Sequence, residues 1–205
     1  MPKQRNTIWA VCILFFCAAG IALLFWNQEI KYLLPTPKPN NLTSVSAGEI
    51  IQLSAYNVSL DNNKPVLIHF FNPDCPCSRF ILKHVKELIQ LHKNHFQFIA
   101  IVPAYADINS AKEKLENLPV RIYQDNVKNE ITKAFGVYAT PQAVLLTADQ
   151  KIYYKGNYNK ARYCTLKESS YAALAMESLL RNESPPSFGL LASTAYGCEL
   201  PSNEN

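Results

Sequence analysis

A chain of 205 residues with 48% hydrophobic and 18% charged residues is long enough for one ordinary globular domain plus an appendage. Its formal net charge of +4 gathers near the N-terminus, where Lys3, Arg5, Lys31 and Lys38 oppose only Glu29. The remainder is nearly neutral, with no basic block interleaved with aromatics, so nothing in the pattern supports a nucleic-acid partner.

The appendage comes first. Ile8 to Trp26 carries no charge, and as a helix rising about 1.5 Å per residue it covers the roughly 30 Å of a hydrocarbon core. The run ends in Leu24, Phe25, Trp26, Asn27 and Gln28, with no small residues where a signal peptidase would cut, so an uncleaved anchor is expected. Phe15 and Phe16 are too bulky for a lipidation motif at Cys17, and Cys12 and Cys17 read as lipid-facing or packing residues. Lys3 and Arg5 keep residues 1–7 on the cytoplasmic side, which places the chain beyond the 8–26 anchor outside the cytoplasm.

Residues 27–46 form a linker punctuated by Pro35, Pro37 and Pro39, which favour extended geometry. Ala47 to Val58 reads as a short helix or strand, and Asp61 to Pro65 as a turn before an apolar strand at 66–71. Beyond it, Ile81, Val85, Leu88 and Leu91 or His92 recur at helical spacing. Strands are then expected at 96–102, 120–123 and 142–147, with helices at 108–117 and 127–135. Gly136 is placed to stop the second of these helices. Lys151 to Lys155 pairs back as a hairpin, residues 166–182 make the last helix, and the tail from 183 to 205, irregular beyond Pro185, falls outside a domain spanning 47–182.

Chemistry concentrates where the first strand meets the first domain helix, at Asp74-Cys75-Pro76-Cys77-Ser78-Arg79. The first N–H groups of a helix lack intrahelical partners and give that end a partial positive charge, which favours thiolate over thiol. Arg79 adds a favourable charge and Asp74 an opposing one. A Cys75–Cys77 bridge would be strained, because side chains two apart on a helix diverge. Cys77 is then either the partner in a labile disulfide or a packing residue.

Strand, cysteine motif, helix and a later Thr140-Pro141 entering a strand resemble the thioredoxin fold over about residues 47–182. The chain is similar to the membrane-tethered redoxins of bacterial envelopes and to Cys-Pro-Cys proteins of unknown function. The resemblance implies an α/β domain with a central mixed sheet flanked by helices. Room between Cys75 and Pro141 for two strand–helix pairs adds an extra strand–helix insertion to that plan. The resemblance further implies that Cys75 is the attacking thiol and that Ser78 stands where the second cysteine of Cys-x-x-Cys would be. Arg79 falls on the basic residue that often follows the motif. His69 takes the place of a buried acid, as a proton shuttle if partly solvated or as a hydrogen-bonded core residue. Pro141 is implied to be cis, leaving the Thr140 backbone able to dock an extended partner chain beside Cys75. The expected setting is a bacterial inner membrane with the domain in the periplasm, and the expected partners are protein thiols or disulfides and a redox partner, with no cofactor.

Cys164 and Cys198 flank the last helix of an exported domain, where disulfides persist. Four exported cysteines allow three connectivities, and local spacing favours Cys75 with Cys77 and Cys164 with Cys198. In the rival reading Cys164 or Cys198 resolves Cys75. An alternative function is a copper chaperone using Cys75, Cys77 and His69, since soft thiolates suit Cu(I). Another is a silent docking module of the same fold.

Overall fold

The computed structural model describes residues 2–28, 30, 34–61, 64–160 and 169–201. It divides into two compact units, Met1–Leu34 and Pro35–Asn205. The first holds helix α1, Pro2–Gln28. Its stretch Asn6–Asn27 has a mean hydropathy of 2.7, is 22 residues long and buries none of its window, so it is long and apolar enough to cross a membrane. A helix apolar on every side has no polar face to offer water. Cys12 and Cys17 are exposed on it.

The second unit is built on a five-stranded sheet of β1 (Val66–Phe70), β2 (Gln97–Val102), β3 (Val120–Gln124), β5 (Gln142–Leu146) and β6 (Ile152–Gly156). Their order across the sheet is β3-β2-β1-β5-β6. Strands β1, β2 and β3 run parallel, while β5 is antiparallel to both β1 and β6. All five residues of β1 are buried, as a central strand covered on both faces requires. The twofold side-chain alternation sends Val66, Ile68 and Phe70 into a cluster with Ile99, Val144 and Phe135. Leu67 goes the other way, among Val85, Ile89, Leu145 and Met176.

Crossovers between the parallel strands are helical, through α2 (Pro76–His92) and α3 (Ile108–Lys114). Pro76 occupies the first turn of α2, where a missing N–H costs nothing. The buried stripe of this helix takes in Ile81, Val85, Leu88, Ile89 and His92, while Leu91 points to solvent. Helix α4, Glu130–Ala134, comes after β3. The buried Asp125 carboxylate accepts from the Ile131 and Thr132 backbone N–H groups and from the Thr132 hydroxyl, satisfying donors that a helix start leaves open. The β2–α3 and β3–α4 pairs are the two strand–helix pairs expected between the cysteine motif and Pro141. Gly136, just past α4, has φ +57, the left-handed conformation of a helix stop.

Three local expectations are narrowed or overturned by the structure. Residues 47–58 hold one 3-10 turn, Leu53–Tyr56, closed by Asn57 at φ 58. The last long helix, α5, is Tyr171–Leu180, shorter than 166–182, and residues 161–168 lie outside the described residues. The described part of the tail, 183–201, is not irregular throughout. It forms α6 (Leu190–Ser193) and β7 (Cys198–Glu199), and β7 pairs antiparallel with β4, Ala139–Thr140. Such short elements have no room for a hydrophobic period; their partners define them. The Asn157 amide donates to the Leu191 and Thr194 carbonyls, and its backbone N–H to Ala192 O at 2.8 Å. Any Cβ at Gly156 would overlap Ala192 O.

Candidate functional site: three sulfurs at the start of α2

Strand β1 runs out at Phe70, and a polar bend reverses the chain. Asn72 is buried. Its Oδ1 accepts from Asp74 N at 2.9 Å, and its carbonyl accepts from Cys75 N at 3.1 Å. This bend sets Cys75 as the N-cap of α2, with φ −75 and ψ 124. Its sulfur therefore lies at the end of the helix where unpaired N–H groups gather. Cys75 is 2% exposed and Cys77 7%. Arg79 is exposed on the first turn, and the buried Ser78 hydroxyl has no hydrogen-bond partner among the described residues.

The disulfide joins Cys75 to Cys198, 123 residues downstream, with Cα atoms 6.1 Å apart. This corrects both pairings expected from local spacing, Cys75 with Cys77 and Cys164 with Cys198; Cys164 itself lies outside the described residues. The physical reason is strain: Cys77 lies only two residues beyond Cys75, too close in the chain for an unstrained bridge, whereas Cys198 arrives on β7, paired with Thr140, whose carbonyl lies 3.6 Å from Cys75 Sγ. Cys77 remains outside the disulfide, yet the sulfurs of Cys75, Cys77 and Cys198 all lie within 4.8 Å of one another.

The Thr140–Pro141 peptide bond is cis, as the resemblance implies. Cys75 Sγ sits 3.6 Å from Thr140 O, and Thr140 is the register partner of Cys198. The edge expected to receive a partner chain thus carries this chain's own tail. The tail is held along its length. Thr36 N donates to Ala195 O at 2.9 Å, Gly197 N donates to the Thr36 hydroxyl at 3.1 Å, and Leu200 N donates to Tyr138 O at 2.9 Å. Asn129 Nδ2 donates to Pro201 O at 2.9 Å, and the Leu200 side chain is buried beside Phe135 and Val137. Gly197 has φ +153, and any Cβ there would overlap the Thr140 carbonyl.

His69 goes elsewhere. It shares the face of β1 that carries Leu67, is 4% exposed, and its Nδ1 lies 2.8 Å from the Tyr158 hydroxyl. Its ring stacks on Phe71 with centroids 5.0 Å apart. Burial lowers its pKa from 6.5 to about 3 and raises that of Tyr158 well above 10, so both rings are neutral near neutral pH. The core reading of His69 holds. The solvated shuttle does not, and the copper set of Cys75, Cys77 and His69 is replaced at its third position by Cys198. Only when reduced do these three sulfurs offer a donor set for a soft cation.

Nothing in the local spacing pairs Cys198 with Cys75, or points to Gly197, Thr36 and Tyr158. A glycine directly before a cysteine, in a segment with alternating Cys198, Glu199 and Leu200, is the one available sign of a close strand contact.

No curated protein matches the chain in sequence. Similar solved structures include a hypothetical protein from Sinorhizobium meliloti 1021, 17% identical, with 77% of this chain and 95% of that chain covered and a TM-score of 0.60. An uncharacterized conserved protein from Geobacillus kaustophilus is 20% identical, with 70% and 79% covered and a TM-score of 0.57. A putative thioredoxin from Neisseria meningitidis is 24% identical, with 58% and 77% covered and a TM-score of 0.45. The fold is thioredoxin-like. Residues 46–199 match the family described as Domain of unknown function (DUF6436), and the chain belongs to that family.

Proposed function

We propose that this protein is a membrane-anchored thiol–disulfide exchange protein of the bacterial envelope, with its folded unit in the periplasm, Cys75 as the reacting sulfur and Cys198 as its disulfide partner. One observation carries the reading: Cys75 caps α2 and is bonded to a cysteine that reaches it on a strand paired with Thr140. A helix N-terminus favours the thiolate that exchange requires, and the exposed Arg79 adds positive charge on the same turn.

In the reducing direction the Cys75 thiolate attacks one sulfur of a substrate disulfide, forming a mixed disulfide and releasing the other substrate sulfur as thiolate. Cys198 thiolate then attacks Cys75 Sγ, which restores the Cys75–Cys198 bond and releases the second substrate thiol. Two electrons pass from the cysteine pair to the substrate, and the reverse sequence oxidises a substrate dithiol. His69 and Tyr158 take no proton in this scheme; they are buried against each other in the core.

The test uses the full chain in detergent, reduced and mixed with a model peptide disulfide. Cys75→Ser is expected to abolish exchange, and a chain carrying both Cys77→Ser and Cys198→Ser to stop at a mixed disulfide on Cys75, read by mass spectrometry. Exchange by Cys75→Ser at the parent rate would overturn the reading.

A further inference from the structure

Cys75 is 2% exposed under a tail that fills the edge of β4, so an exchange site exists here in a form no substrate can enter. The tail has the features of a bound substrate. It is an extended segment, pairs antiparallel with Ala139–Thr140, and contributes one sulfur to a disulfide with Cys75. We propose that residues 195–200 are a tethered replica of the substrate, that Cys77 releases them, and that the vacated edge takes an extended polypeptide with glycine immediately before its reacting cysteine. This rests on the reading of Cys75 as the exchange sulfur.

The glycine requirement comes from Gly197, where any Cβ would overlap the Thr140 carbonyl and come within 3.4 Å of Pro141 Cδ. A chain lying in the same register with a larger residue at that place must push away from Thr140 and draw its sulfur off Cys75. The releasing role comes from proximity, since the sulfurs of Cys75, Cys77 and Cys198 lie within 4.8 Å of one another. Cys77 loses its proton, and its thiolate attacks Cys75 Sγ. The Cys75–Cys77 bond forms, the Cys75–Cys198 bond breaks, and the electron pair leaves on Cys198, which takes up a proton. No net oxidation occurs. Freed of its covalent tie, the tail is held by the Thr36 N–H donating to Ala195 O, by the Thr36 hydroxyl and the Tyr138 carbonyl accepting from Gly197 N and Leu200 N, and by the Leu200 side chain, all of which a peptide of like shape can replace. The thiolate of an incoming peptide then attacks Cys75 Sγ, the peptide–Cys75 disulfide forms, and Cys77 leaves as thiolate.

The experiment takes the oxidised full chain in detergent and offers it two synthetic thiol peptides. One has the sequence of residues 195–200, and the other has valine in place of the glycine. The peptide–Cys75 disulfide is monitored by mass spectrometry. The glycine peptide is expected to react about tenfold faster or more, the scale on which an overpacked contact weakens binding, and Cys77→Ser to slow it by a similar factor. Equal rates for the two peptides in the parent chain overturn the replica, whether or not the Cys77 variant folds. An unchanged rate in a folded Cys77→Ser chain overturns the release step. A small aromatic disulfide given to the reduced chain separates the two levels. If it labels Cys75 while the peptides fail to discriminate, the exchange reading stands and this proposal falls; if Cys75 is inert to every probe, both fall.

Discussion

At the scale of single residues, the buried pair of His69 and Tyr158 sets a measurable pH dependence. Burial holds the folded-state pKa of His69 at about 3 against 6.5 in the unfolded chain, so between these values the unfolded state binds the extra proton. Stability from this residue is therefore complete above pH 6.5 and is lost as pH falls toward 3, with a slope of at most about 1.4 kcal/mol per pH unit. His84, also lowered by burial, pulls in the same direction. Denaturant unfolding at pH 5 and pH 7 is expected to show a smaller pH difference for His69→Asn than for the parent, even though the variant loses the Tyr158 bond and is weaker at both. An identical difference in the two proteins would mean that His69 titrates alike in the folded and unfolded states, and would contradict the burial effect. The sequence carries half of this: His69 lies mid-strand in an apolar run, which says buried. Its partner Tyr158 is 89 positions away, and no local pattern links the two.

Among the elements, the sheet strands and α2 are legible because each is long enough to repeat its period. Val66 to Phe70 is almost continuously apolar, and Ile81, Val85 and Leu88 mark one helical face. Strands β4 and β7 have two residues each and exist through each other, so the tail carries no internal sign that it belongs to the domain. The consequence is energetic as well as topological. A bond across 123 residues is assigned about 5 kcal/mol by the chain-entropy model, roughly 1 kcal/mol more than a bridge around the last helix would contribute, because the term grows only with the logarithm of loop length. Cys198→Ser is expected to lower the unfolding free energy of the non-reduced chain by several kcal/mol, up to about that figure, and to leave the reduced chain nearly unchanged. A loss of the same size under reducing conditions would assign the effect to packing at Leu200 and its neighbours instead of to the bond.

For the whole molecule, an apolar N-terminal helix and a thioredoxin-like unit are both visible in the sequence, the first from an uncharged run and the second from a cysteine motif at a strand–helix junction with Thr140-Pro141 downstream. The organisation of the cysteines is not, because sequence distance says little about which thiols meet once a tail folds back across a sheet. The exchange chemistry depends on that organisation. It is tested most directly by equilibrating the full chain over a range of thiol–disulfide buffers, trapping free thiols by alkylation and mapping every disulfide by mass spectrometry. Cys75 and Cys198 are predicted to become oxidised together, as one couple linked to each other, with a minor Cys75–Cys77 species in exchange with it. A chain in which Cys198 is bonded to Cys164 while Cys75 titrates independently would contradict it.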